Sequence, residues 1–221
     1  MKTKTGLTLL AAVLLLAVGG CNNNPKGFSR AVYMLVDTSG TYVREIGRAN
    51  KIIRALVTEM EPGDAFMLAR IDSDSFSEKD VIINVSFDAR SSRANVQKLE
   101  LIKRVDKFVK NVKSSRYTDI TGGVLQAVEY LKRSNAANKS LIIFSDLKED
   151  LRRDQFRNVK IDFSDISVVS VNVTKLKSDA RDPRNYFKRL KRWSSKVKKT
   201  NGKWQVIPAD DFSKIVSAVM R

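Results

Sequence analysis

Three oxygen-bearing side chains stand at alternate positions in one short stretch: Asp37, Ser39 and Thr41. One carboxylate and two hydroxyls so spaced form a hard-oxygen donor set suited to Mg2+ or a similar cation. The same residue types also cap helices and shape turns, so a purely structural reading stands beside the chemical one. A second carboxylate, Asp146, closes the run 140–146 much as Asp37 closes 31–37. If those two runs are neighbours, their final carboxylates face one cleft, where like charges are costly without a cation between them. Other chemistries drop out by composition. The chain has no histidine and one cysteine, Cys21. His-based zinc sites and His general bases are excluded, and so is an intramolecular disulfide.

The elements that must position these groups follow from hydrophobic patterning. Residues 31–36 run without a charge into Asp37, which predicts a central parallel strand buried on both faces. In an open α/β sheet the carboxyl ends of such strands are where ligands bind. Helical spacing covers 41–60, the turn Glu61-Pro62-Gly63-Asp64 ends it, and 65–71 is a second strand. Residues 72–78 form a polar loop whose two aspartates lack the glycine and spaced glutamate of a calcium loop. Strict alternation over 81–87 predicts a half-exposed edge strand, antiparallel to 65–71 because the connection is short. Helices follow at 94–112 and 121–133, strands at 140–146 and 166–173, a short helix at 151–158 and a basic helix at 183–199. A last strand at 203–207 and a helix capped by Asp210 or Asp211 complete the chain. The expected fold is α/β: a doubly wound, mostly parallel sheet with one antiparallel edge strand and helices on both faces.

The first residues read as a targeting segment. Lys2 and Lys4 precede the apolar run 7–18, which Gly19, Gly20 and Cys21 close. This is a positive n-region, a short h-region and small residues before a cut. Val18-Gly19-Gly20-Cys21 resembles a bacterial lipobox, which implies a signal peptide over 1–20 and a lipidated, palmitate-carrying Cys21. Residues 21–29 are then a tether, and 30–221 the domain. Residues 22–29, fully extended, span roughly 28 Å at most, so the domain rides close to the membrane. Asn22 after the cysteine resembles the sorting signal for the outer membrane, facing the periplasm, in a host with two membranes. The formal charge is +17, and +15 without residues 1–20. Residues 175–203 carry twelve Lys or Arg against two Asp. A run of nearly uniform sign is a docking surface for anionic lipid or cell-wall polymer, beside its plainer reading as a solvated helix face. Export argues against nucleic acid as the partner.

The motif residues resemble those of von Willebrand factor type A domains. Asp37-Thr38-Ser39-Gly40-Thr41 is similar to the family's D-x-S-x-S/T motif, and Tyr117-Thr118-Asp119-Ile120 to its loop with a single metal-binding threonine. Ser145-Asp146 resembles the second aspartate, Glu61-Pro62-Gly63-Asp64 the turn before the second strand, and Thr200-Asn201-Gly202-Lys203-Trp204 the T-G-G-aromatic turn before the last strand. The resemblance implies a membrane-anchored, non-enzymatic binding module with a metal-ion-dependent adhesion site. Asp37, Ser39, Thr41, Thr118 and Asp146 would hold Mg2+, with Mn2+ or Ca2+ as alternatives, and a carboxylate from a partner protein would complete the shell. Asp119 is read as a cap or turn residue. Leu147 and Asn201 depart from the family pattern, each standing where many members have glycine.

Two readings from other classes compete. Asp37-Thr38-Ser39-Gly40-Thr41 also resembles D-K-T-G-T, the phosphorylated loop of P-type ATPases in the haloacid dehalogenase superfamily, where the first aspartate is a nucleophile beside Mg2+. Ser145-Asp146-Leu147-Lys148-Glu149-Asp150 does not supply that superfamily's G-D-x-x-N-D loop. The other reading drops the metal and leaves an electrostatic binder of anionic polymers or nucleic acid.

Overall fold

The computed structural model describes residues 30–40, 42–73, 75–152 and 159–220. The leader, Cys21, the tether and Thr41 lie outside these residues, as does most of the short helix expected over 151–158. Six strands form one sheet in the order β3-β2-β1-β4-β5-β6: β1 Arg30–Asp37, β2 Ala65–Ile71, β3 Val81–Ser86, β4 Asn138–Phe144, β5 Ile166–Val171 and β6 Lys203–Ile207. All pairings are parallel except β2 with β3. This is the expected doubly wound sheet with one antiparallel edge.

Alternation along the strands sorts the core into two layers. Val32, Met34 and Val36 of β1 face one layer with Phe66, Leu68, Ile142, Phe144 and Val169. That layer is covered by α1 (Ile46–Glu59), α2 (Ser91–Asn111) and α6 (Phe212–Met220). Tyr33 and Leu35 face the other layer with Leu141, Ile143 and Val168, under α3 (Ile120–Arg133) and α5 (Arg184–Lys198). The charged α5 is anchored there by Trp193 and Val197, its two buried residues. A short helix, α4 (Lys177–Arg181), precedes it; its sequence Lys-Ser-Asp-Ala-Arg has no apolar period to announce it.

The helix expected from residue 41 begins later. Tyr42–Glu45 forms a 3-10 turn and α1 starts at Ile46. The cause is Tyr42, which turns inward: its ring meets Phe144 edge-on at 5.6 Å and its hydroxyl donates to the Asn172 carbonyl at 2.7 Å. Strand β4 ends at Phe144, so Asp146 sits two residues beyond the strand on the following loop. The turn before β2 is held by Asp64, whose buried carboxylate accepts the Glu61 N–H at 2.8 Å, with Gly63 in the left-handed region at φ 89°. At the end of the chain, Asp211 caps α6 by accepting the Lys214 N–H at 3.2 Å.

Candidate functional site

The central strands bring their ends together where the chain leaves β1 for β2 on one side and returns as β4 on the other. Asp37 is the last residue of β1 and is 1% exposed. Val36 pairs with Phe144, so the next residues, Asp37 and Ser145, come side by side. The Asp37 carboxylate is held at both oxygens: Oδ1 accepts the Ser39 N–H at 2.9 Å and Oδ2 accepts the Ser145 hydroxyl at 2.6 Å. Even so, burial pushes this carboxyl up from its ordinary value of 3.8 to about 6, and the charge of Asp146 pushes the same way. Burial also raises Asp146, whose Oδ1 accepts the Lys148 N–H at 2.7 Å. Two acids near the ends of β1 and β4 are thus both harder to ionise than normal, and the charge of Asp146 reaches Asp37.

Ser39 lies one turn further on. Its backbone is stitched to the loop before α3: the Gly40 N–H donates to Ser115 O at 3.2 Å and the Ser115 N–H to Thr38 O at 2.9 Å. Thr38 turns the other way, its hydroxyl donating to Ile71 O of β2, so the alternation keeps Asp37 and Ser39 on the cleft side. Thr118, 5% exposed, is fixed by reciprocal backbone bonds with Asp150 at 2.7 and 3.0 Å. It therefore lies at the same end of the sheet, between the loop after β4 and the Ser115 loop. Its hydroxyl makes no hydrogen bond to Asp37, Ser39 or Asp146 among the described residues. Asp119, next to it, is the N-cap of α3, accepting the Gly122 N–H at 2.8 Å. A side chain at Gly122 would run into that carboxylate, which is why a glycine stands there.

Of the five expected metal ligands, then, Asp37 meets Ser39 through a hydrogen bond and Asp146 through its charge. Thr118 shares their end of the sheet, and Thr41 falls outside the described residues. Among the described residues no cluster of three or more His, Cys, Asp or Glu side chains forms a metal site; a set of two carboxylates and hydroxyls needs none. The donor chemistry fits a hard divalent cation: oxygens only, and two close acids whose repulsion a cation would relieve.

The site also depends on residues that the motifs did not single out. Ser145 bridges, donating to Asp37 and accepting the Leu147 N–H at 3.0 Å. Arg189 forks onto buried Asp179 with two bonds of 2.8 Å, and its Nε donates to the Asp146 carbonyl at 3.1 Å. The guanidinium holds the Asp179 carboxyl down to about 2. Glu149 accepts the Thr121 N–H at 2.6 Å and meets Arg192 at 3.3 Å, fastening the loop to α3 and α5. Ser145 was legible as the residue before the second aspartate. Arg189 was not, being one cation among many in a run that reads as solvent-facing. Leu147 is 2% exposed with φ 64°, and Asn201 has φ 61°. Both sit in the left-handed region that glycine occupies most cheaply, so the two departures from the family pattern keep its backbone shape.

No protein-family model matches the sequence, and no curated protein matches it either. Solved structures do match the fold. A von Willebrand factor type A protein from Catenulispora acidiphila aligns over 86% of this chain and 41% of its own, at 12% identity and a TM-score of 0.54. The PilB minor pilin from Streptococcus sanguinis aligns over 89% and 60%, at 11% identity and 0.53. Manganese-loaded TRAP protein from Plasmodium vivax aligns over 87% and 72%, at 14% identity and 0.50. The chain thus spans less than two thirds of the first two proteins. It has the von Willebrand factor type A fold.

Proposed function

We propose that this chain is a binding module, not an enzyme, that engages an acidic group of a partner protein through a divalent-cation site at the carboxyl end of its sheet. Asp37, Ser39, Thr41, Thr118 and Asp146 would hold the ion, Mg2+ first and Mn2+ or Ca2+ as alternatives. When bound, such an ion supplies an open position for a partner's carboxylate oxygen. The observation that carries this reading is Asp37: a fully buried carboxylate raised to about 6, next to a second raised acid. A carboxylate kept there against its own solvation cost is a feature that function, rather than stability, explains. The manganese in the TRAP structure supports the same class of ion here.

The phosphotransferase alternative asks Asp37 to act as a nucleophile beside a lysine. In the fold, both carboxylate oxygens are engaged by Ser39 and Ser145, and no lysine hydrogen-bonds or ion-pairs with Asp37 among the described residues. We further propose that residues 1–20 are removed, Cys21 is acylated, residues 21–29 tether the domain, and 30–221 form it. On that plan the anchor enters at Arg30 and the site sits at Asp37, so the eight-residue strand β1 puts the site roughly 25 Å farther from the membrane than the tether. The basic run 175–203 is a contact for anionic lipid or polymer, and nucleic acid is not a partner.

The test is capture of envelope proteins on the immobilised mature chain in Mg2+ and in chelator, with Asp37→Asn beside the wild type. A partner retained only in Mg2+, and only by the wild type, supports the reading. An identical set of proteins in all arms overturns it. Intact mass of the mature protein reads the acylation of Cys21 separately.

A further inference from the structure

Five of the six strands point one way, so their amino ends share a face opposite the candidate site. There the nine-residue α6 leaves part of the sheet uncovered, and a cavity of about 630 Å3 opens among the starts of β4, β5 and β6. Three lysines line it, Lys139, Lys203 and Lys214, with the hydroxyls of Ser140, Ser167 and Ser217 and one acid, Asp165. None of the three lysines forms an ion pair among the described residues. Some cations elsewhere on the surface are paired, as Arg54 is with Asp106, Arg184 with Asp182 and Arg192 with Glu149.

We infer that this basal cavity is a second binding surface, which takes the phosphate head groups of an anionic phospholipid membrane. Its position selects the partner. Arg30, the first described residue, pairs in register with Asn138, which lines the cavity. Adjacent strands lie about 4.8 Å apart, so the Arg30 backbone lies beside this cavity. The inference rests on the anchor proposed above for the nearness of the bilayer, since residues 22–29 span roughly 28 Å at most. Lysine suits the ligand. Its compact ammonium is a point charge with rotatable donors, matched to a phosphodiester whose orientation varies from lipid to lipid. The Ser167 and Ser217 hydroxyls can donate to the remaining phosphate oxygens, whereas the buried Ser140 hydroxyl already donates to Val219 O.

The same geometry divides the basic run 175–203. Lys188 and Arg192 line a different cavity together with Lys148, close to Asp146 at the site end, whereas Lys203 lies in the basal one. A lipidated tether alone leaves a domain free to tumble. Head groups held at the amino ends would fix the strand axis and turn the site away from the bilayer.

The chain from Asn22 onward carries every described element, so it can be tested without lipid and in chelator. The probes are vesicles of phosphatidylcholine alone and of phosphatidylcholine with phosphatidylglycerol. The wild type should sediment with the anionic vesicles only, and release as salt rises. The variant Lys139→Glu/Lys203→Glu/Lys214→Glu should lose at least about fivefold in partitioning per lysine. The triple Lys→Gln variant at the same positions, with its melting temperature matched to wild type, serves if charge reversal impairs folding. The variant Lys103→Glu/Lys107→Glu on α2, both exposed and outside the run 175–203, should keep most of the binding. Wild-type binding to both vesicle types, undiminished binding by the basal variants, or an equal loss in the α2 variant would each overturn the inference. So would inorganic phosphate that binds the cavity tightly enough to displace the vesicles. Because neither the acyl anchor nor metal is present, failure here leaves the acylation and cation readings standing, and their failure leaves this one.

Discussion

The two ends of the sheet are held by different forces. At the carboxyl end, hydrogen bonds to a buried acid set the geometry: Ser39 and Ser145 grip Asp37, and Arg189 braces the Asp146 carbonyl. Leu147 holds a left-handed backbone there at φ 64°. At the amino end, packing sets the geometry. Gly202 fits against Phe163 and Val197, where an added Cβ would lie 2.6 and 2.7 Å from their side-chain atoms. The cavity at that end is lined by cations at its surface, and the buried acid there, Asp64, is closed in by the Glu61 N–H and by Arg30. The contrast teaches that one end leaves its buried acid, Asp37, raised and without a cation partner among the described residues, while the other closes its buried acid, Asp64, into a turn and an ion pair. Substitutions should therefore separate the two: stability lost with the site intact at one end, and the site lost with stability intact at the other.

Gly202→Ala should have the largest effect on stability. The new methyl meets buried side chains and the Phe163 backbone oxygen at 2.9 Å, which must move. Overpacking of this kind costs about 2–3 kcal/mol, or roughly 6–10 °C in melting temperature for a chain of this size. A melt that matches wild type would break the claim that packing governs this end.

The next effect comes from pH in the absence of metal. Asp37 rises from 3.8 unfolded to about 6 folded, so the folded state holds the proton more tightly. Its contribution is fully present below about pH 3.8 and is lost as pH rises through about 6. The loss is at most about 3 kcal/mol. Urea midpoints in chelator at the two ends of this window should show the wild type falling more steeply with pH than Asp37→Asn. Parallel slopes would mean that Asp37 titrates normally. Asp146 is raised in the same direction, so part of the slope should survive in the variant.

The smallest effect belongs to Asn201→Gly. Asn201 is exposed with φ 61°. Asparagine tolerates that region better than most residues, and glycine better still. A gain of about 0.5 kcal/mol is expected from thermal denaturation; a loss would show that its side chain holds the turn.

Much of this contrast was legible in the sequence, for physical reasons. Residues 31–36 announced a doubly covered strand because nothing charged interrupts them, and Asp37 stood out because such a strand spent its last position on a carboxylate. The antiparallel edge was legible from a connection too short for a crossover. What was hidden depended on tertiary placement. The inward turn of Tyr42 onto Phe144 and Asn172 delayed α1, although its local spacing is helical. Arg189 looked like any cation of a basic run until the fold set it between Asp179 and Asp146. The basal cavity draws Lys139, Lys203 and Lys214 from two strands and a helix far apart in sequence. No run or motif marks it.

The central claim is that Asp37 and its neighbours are kept for a cation. It is tested most directly by titrating Mn2+ into the mature chain in acetate, which stands in for a partner's carboxylate, and following free Mn2+ by electron paramagnetic resonance. One bound Mn2+ per wild-type chain is expected, with unchanged binding by folded Gly202→Ala and binding weakened about 100-fold or more in Asp37→Asn. Equal binding by wild type and Asp37→Asn, or no binding by the wild type, would contradict it.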